Sequence, residues 1–171
     1  MTTVVIIDDH RMFREGLTLL FSDQEEIDVL AMAEDGVRGL ELIREKEPDV
    51  ALVDLAMPGM SGLSLSRALR EDELTTRVIV LTTSDDPAHA IEALALGAAG
   101  YILKEEAFHS LLSGVREVAD GGRYVSPKLM TAIIQKQMEA EDRPELSPRE
   151  NEVLTEIATG KTSKEISGVL G

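Results

Sequence analysis

Five short apolar runs punctuate the first part of the chain: VVIID (4–8), VLAMA (29–33), VALVD (50–54), VIVLT (78–82) and GYILK (100–104). They are near-continuous rather than alternating, as in strands buried on both faces. Each is followed by residues with helical apolar spacing. The first such stretch places Met12, Phe13, Leu17, Leu20 and Phe21 on one stripe. A later one opens at Asp86-Pro87, a cap followed by proline, and closes at Gly97. The last runs from about Glu105 to Asp120 and stops at Gly121-Gly122. Strands alternating with helices require right-handed crossovers, so the pattern predicts an α/β fold: a doubly wound, five-stranded parallel sheet over residues 1–125.

After Val125 the pattern changes to a C-terminal all-α segment. Ser126-Pro127 begins a linker helix whose apolar stripe is Leu129, Met130, Ile133, Ile134 and Met138. The charged EAEDRPE (139–145) reads as a joint, so residues 126–145 form a linker. Residues 146–171 hold two further short helices. Ser147, Pro148 and Glu150 make a capping box ahead of Val153, Leu154 and Ile157, and Gly160 ends that helix. Thr162 and Glu165 repeat the spacing before Ile166 and Val169.

Composition narrows the chemistry. There is no cysteine, which removes disulfides, thiolate catalysis and cysteine-based metal sites. No apolar run approaches the roughly 20 residues of a membrane span, and no export signal opens the chain. A cytoplasmic location without membrane contact is the expectation. The net charge of -15 leaves no basic footprint for nucleic acid, so the acidic excess is read as solubility.

The strand ends carry the chemistry. In a doubly wound sheet the ligand crevice lies beyond the carboxyl ends of the strands. Asp8 and Asp9 end the first run, Asp54 the third, Thr82 the fourth and Lys104 the fifth. Each alone has an ordinary explanation: Asp9 a helix cap, Thr82 a strand residue, Lys104 a solvated charge. Together they deliver three carboxylates, a hydroxyl and an ammonium to one rim. Carboxylates so close raise one another's pKa unless a cation intervenes, and oxygen ligands favour a hard ion such as Mg²⁺. A carboxylate such as Asp54 can attack phosphorus, a step that needs positioning and charge neutralisation above all.

The motifs IIDDH, VDLAMPGMSG, VLTTSDD and GYILKEE stand in the order found in receiver domains, and the chain resembles a two-component response regulator. ELSPRENEVLTEIATGKTSKEISGVLG resembles the first part of a LuxR-type helix-turn-helix. The pairing points to the NarL/FixJ subfamily. The resemblance implies a flavodoxin-like receiver in which Asp54 accepts phosphate from a sensor histidine kinase. It implies direct Mg²⁺ ligation by Asp9 and Asp54, water-mediated ligation by Asp8, and a backbone carbonyl ligand from Ala56. Lys104 would pair with the phosphoryl group, Thr82 would move toward it, and Tyr101 would change rotamer with Thr82.

Two departures from the family pattern matter. Glu105 follows Lys104 where proline is frequent, so a trans peptide is expected there. Ala56 and Ser84 stand at positions that tune hydrolysis of the acyl phosphate; neither orients water strongly, and a long-lived phosphoryl state is expected. His10, His89 and His109 lack metal-ligand spacing and are read as surface or cap residues.

The subfamily implies a homodimer on phosphorylation through the first and fifth helices, with Met12, Leu112 and Val115 as candidates and core packing as the alternative for each. Recognition helices of LuxR-type domains are the third of four. These residues stop at SGVLG, where that helix ought soon to begin, so no DNA-binding residue is expected within 1–171 and DNA would be bound only by a completed module. The leading expectation is a phosphorylation-dependent transcriptional regulator that takes part in its own phosphotransfer and is not a turnover enzyme. The runner-up is a stand-alone receiver working by protein–protein contact or as a phosphate sink. A Mg²⁺-dependent phosphatase using Asp54 comes third.

Overall fold

The computed structural model describes residues 1–140. The expectations for residues 146–171, with their two capped helices, lie outside the described residues. Within them the order is β1 (Thr2–Ile7), α1 (Arg11–Ser22), β2 (Ile27–Ala33), α2 (Gly36–Lys46), β3 (Val50–Asp54), α3 (Gly62–Glu71), β4 (Arg77–Thr82), α4 (Pro87–Ala95) and β5 (Gly100–Leu103). A single 3₁₀ turn (Lys104–Glu106), α5 (Ala107–Ala119), β6 (Tyr124–Val125) and α6 (Pro127–Ala140) follow. All pairings are parallel, and the strands lie in the order β2-β1-β3-β4-β5-β6.

The sheet therefore has six strands where five were expected. The sixth is only two residues, too short to leave a hydrophobic run. It is held by Tyr124 N–H to the Ala99 carbonyl and Ser126 N–H to the Tyr101 carbonyl, both at 3.0 Å. The five expected strands are present, each within two residues of the sequence reading.

Side-chain alternation splits the core into two layers. Val5, Ile7, Ala51 and Val53 face α2, α3 and α4, where Leu40, Ile43, Leu65, Leu69, Ala90 and Ile91 are buried. Val4, Ile6, Val50 and Leu52 face α1 and α5 through Leu17, Phe21, Leu111, Val115 and Val118. Val115 is fully buried, so it cannot contribute to an outer face as its subfamily position suggested; Met12 is 87% exposed. The expected stripe of α6 divides. Leu129 and Ile133 are buried within the α4 layer, whereas Ile134 and Met138 face solvent.

Local chemistry sets the element ends. Asp35, Ser61 and Asp86 cap α2, α3 and α4 by accepting N–H bonds from Arg38, Ser64 and Ala88. At the amino edge of the sheet, Asp49 Oδ2 accepts from both the N–H and the hydroxyl of Thr3 at 2.7 Å, and Thr3 Oγ1 accepts from Asp49 N–H at 2.9 Å. Arg77 reaches the end of α5 and donates to the Gly121 and Gly122 carbonyls at 2.9 Å. Those carbonyls belong to the turn just past α5.

The Thr3 bonds hold the Asp49 carboxyl below its ordinary pKa, the backbone N–H first. A depressed native pKa means the contribution is present while the group is ionised and is lost as the pH falls through that pKa. Asp49→Asn should cost about 1 kcal/mol at neutral pH, the value for a charge-assisted bond at a solvent-screened edge. Denaturant titrations at several pH values should show the gap between variant and wild type closing below about pH 4.

Candidate functional site

Strand order reverses between β1 and β3, the point at which doubly wound sheets open a crevice at their carboxyl ends. Ile7 is in register with Val53, so Asp8 and Asp54 leave the sheet side by side. Asp54 lies opposite Leu81, which puts Thr82 one residue farther out on β4, and Thr82 is in register with Leu103. Lys104 follows at the start of the 3₁₀ turn. All four predicted strand ends thus meet on one rim.

The centre of the site is an ion-pair triangle. Lys104 Nζ lies 2.6 Å from Asp8 Oδ2 and 3.0 Å from Asp54 Oδ2. Asp8 and Asp54 are buried, and the Lys104 side chain is 10% exposed. Burial pushes the Asp54 carboxyl above its ordinary pKa; the Lys104 ammonium, by hydrogen bond and charge, opposes that rise, and Asp8 adds to it. The Ala56 N–H donates to Asp54 Oδ1 at 3.3 Å. Asp8 Oδ1 accepts from the His10 N–H at 2.8 Å. Asp8 Oδ2, although in contact with the ammonium, accepts no hydrogen bond of proper geometry and is fully buried.

The Lys104 ammonium is thus the charge this buried oxygen meets, with no hydrogen bond of proper geometry beside it. Asp8, Asp9, His10 and Asp54 each offer one ligand atom, all within 4.8 Å of one another. Three carboxylates with a buried open lone pair suit a hard divalent cation. His10 is the member that spacing did not reveal. It precedes α1 as the N-cap residue, and its Nδ1 sits 2.8 Å from Asp9 Oδ1 and 3.3 Å from Asp8 Oδ1.

Thr82 is buried, and its hydroxyl accepts from the Ser84 N–H at 3.0 Å. Tyr101 is fully buried, and burial pushes its phenol up to about 12. Thr82 is near enough to oppose that shift, yet the phenol oxygen makes no hydrogen bond of proper geometry. The Lys104–Glu105 bond is trans, as expected; no cis peptide occurs among the described residues. Two further contacts were invisible in the sequence. The Arg14 guanidinium donates to the Asp8 carbonyl, and the Phe13 ring lies 4.9 Å from Lys104 Nζ.

Known proteins show the same arrangement of parts. Residues 4–116 match the family model for the response regulator receiver domain, and residues 144–171 match that for bacterial regulatory proteins of the luxR family. The chain belongs to the two-component response regulators of the NarL/FixJ subfamily. It is 40% identical over 169 residues to the "Probable transcriptional regulatory protein NarL" of Mycobacterium tuberculosis, covering 98% of this chain and 78% of the relative. The nitrate/nitrite response regulator protein NarL of Escherichia coli K12 is 36% identical over 171 residues, covering 96% and 79%. A crystal structure of a LuxR-family two-component response regulator from Aurantimonas sp. SI85-9A1 superposes with a TM-score of 0.77 at 28% identity, covering 81% of this chain and 99% of that one. This response regulator therefore has the receiver fold and the transcription-regulating type of output segment. Its family is generally non-enzymatic and works with a sensor kinase. No helix among its described residues is long and apolar enough to cross a membrane.

One glycine fixes how closely α3 approaches β3. A Cβ on Gly62 would stand 2.7 Å from the Asp54 carbonyl oxygen and 3.2 Å from Leu55 Cα, both backbone atoms that have little room to yield. Alanine's better helix propensity, worth up to about 1 kcal/mol, is outweighed by that overlap. Gly62→Ala should lower the regulator's stability by roughly 1–3 kcal/mol, read from denaturant midpoints.

Proposed function

We propose that Asp54 is the phosphoryl acceptor of this response regulator. The carrying observation is the Lys104 ammonium held at 2.6 Å from Asp8 and 3.0 Å from Asp54 at the mouth of the crevice. An Asp54 carboxylate oxygen attacks the phosphorus of a phosphohistidine on the kinase. The O–P bond forms as the P–N bond breaks, and the imidazole leaves with the electron pair. Asp9, Asp54 and the Ala56 carbonyl would hold Mg²⁺ directly and Asp8 through water, and the ion would supply charge neutralisation for the transferring group. Lys104 provides the opposing fixed positive charge. Burial excludes water from the acceptor, and the Ala56 N–H orients its Oδ1.

Thr82 and Tyr101 form the switch that reports the new charge. Phosphorylation adds about −1.5 to −2 charge beside Thr82. A Thr82 hydroxyl drawn toward the phosphoryl oxygens gives up its Ser84 N–H bond and changes the space next to the Tyr101 phenol. The unpaired phenol oxygen supports this role, because burial without a partner destabilises the inward rotamer and keeps a second state close in energy. The output is homodimerisation in the cytoplasm, with DNA contacted by a completed LuxR-type module. Ala56 carries no group that could orient an attacking water. The Ser84 hydroxyl is turned to His89 Nδ1 at 3.3 Å and accepts from the Asp86 N–H. The phosphoryl group is therefore long-lived.

Incubation with a small phosphodonor and Mg²⁺, followed by mass mapping, should place one phosphoryl group on Asp54 that persists after the donor is removed. Asp54→Asn should take up none, and Lys104→Gln should slow uptake on the order of 100-fold. Label on another residue, or normal uptake by Asp54→Asn, would overturn the assignment. Tyr101→Phe, which deletes the unpaired hydroxyl, should raise thermal stability by about 1 kcal/mol while weakening the phosphorylation-dependent change in mass on gel filtration.

A further inference from the structure

Lys104 is the one site residue whose reach depends on a flexible stem, so whatever restrains that stem governs the geometry of the site. Two neighbours of its ammonium are the Asp8 and Asp54 carboxylates. The third is the face of Phe13, whose centroid lies 4.9 Å from Nζ. Phe13 stands on the first turn of α1, four residues beyond Asp9. Its ring is braced edge-on by Phe108, at 6.3 Å between centroids and 75° between planes.

Phe108 is 50% exposed, a poor position for a phenylalanine if burial alone decided it. Its place is kept open by Gly16, one turn along from Phe13, where a Cβ would come 3.1 Å from Phe108 Cζ. Two helices thus contribute an aromatic pair and a small residue at the one point where the lysine needs a wall.

We infer that Phe13 is a positioning residue for Lys104, holding the ammonium over the acceptor carboxylate by cation–π attraction, with Phe108 bracing the ring and Gly16 making room for the brace. This rests on the assignment of Asp54 as acceptor and deepens it by naming what sets the lysine in place. An aromatic face attracts a desolvated ammonium through its quadrupole and, unlike a third carboxylate, adds no negative charge to a crevice that already holds several. A lysine fixed in advance needs no reordering when the phosphoryl group arrives.

The test separates packing from electrostatics. Phe13 is replaced in the full chain by 4-fluoro-, 3,5-difluoro- and 3,4,5-trifluorophenylalanine, which keep the ring's shape while draining its quadrupole. The maximal rate of Asp54 phosphorylation from phosphoramidate with Mg²⁺ should fall stepwise along the series, reaching about 2- to 30-fold, with Tm unchanged. Phe13→Leu should match the bottom of the series and Phe13→Tyr should restore the rate. Without Mg²⁺ or donor, the Lys104 ε-methylene protons should be ring-current shifted upfield in wild type and revert in Phe13→Leu. A flat rate series, or no upfield shift in wild type, overturns the inference even if Asp54 is phosphorylated normally. A wild-type chain that takes up no phosphoryl group overturns the acceptor assignment and this inference together.

Discussion

Two carboxylates and one ammonium share a nearly dry crevice, and the receiver is organised around holding them there. Asp8 and Asp54 are buried side by side because β1 and β3 are neighbours at the reversal of the sheet. Taking such charges out of water costs several kcal/mol each, and only a well-placed opposite charge offsets it. Lys104 bridges both, yet the count remains uneven: two negative groups face one positive group, and Asp9 adds a third acid at the rim. Burial consequently raises the Asp54 pKa in spite of the lysine. A site left short of positive charge suits a divalent cation, which the acidic cluster could hold.

The rest of the molecule supports that cost. The central strands contribute unbroken buried runs, Val4–Ile7, Val50–Val53 and Val78–Leu81 among them, covered by helices on both faces. Stabilising bonds are concentrated at the opposite, amino end of the sheet. There Thr3 and Asp49 lock two strands together, and Arg77 ties β4 to the end of α5. At the carboxyl end the Tyr101 phenol is buried without a hydrogen bond, and Asp8 Oδ2 accepts none of proper geometry beside its ion pair with Lys104.

The segment Tyr101–Glu106 joins the site to α6. Ser126 donates its N–H to the Tyr101 carbonyl and accepts from Leu103 N–H at 3.4 Å. Lys128 pairs with Glu105, and the Lys128 N–H donates to Glu106 at 3.4 Å. Glu105, which replaces the proline frequent in the family, thus anchors the first turn of α6 one residue away from the site lysine.

The order of strands and helices, the acids at the strand ends and the lysine opposite them could be read from the chain, because buried parallel strands leave long apolar runs and the rim of the crevice follows from their carboxyl termini. The two-residue β6 left no such run. The split of the α6 stripe and the approach of His10 to Asp8 and Asp9 were equally hidden, since each depends on which neighbour a side chain meets. Phe13 read only as one more apolar position on α1; its place beside Lys104 needed α5 to bring Phe108 across Gly16. Periodicity along a chain determines which face of an element is apolar. Which charge, ring or carbonyl that face finally meets is a matter of distances between residues far apart in sequence, and only the folded structure decides it.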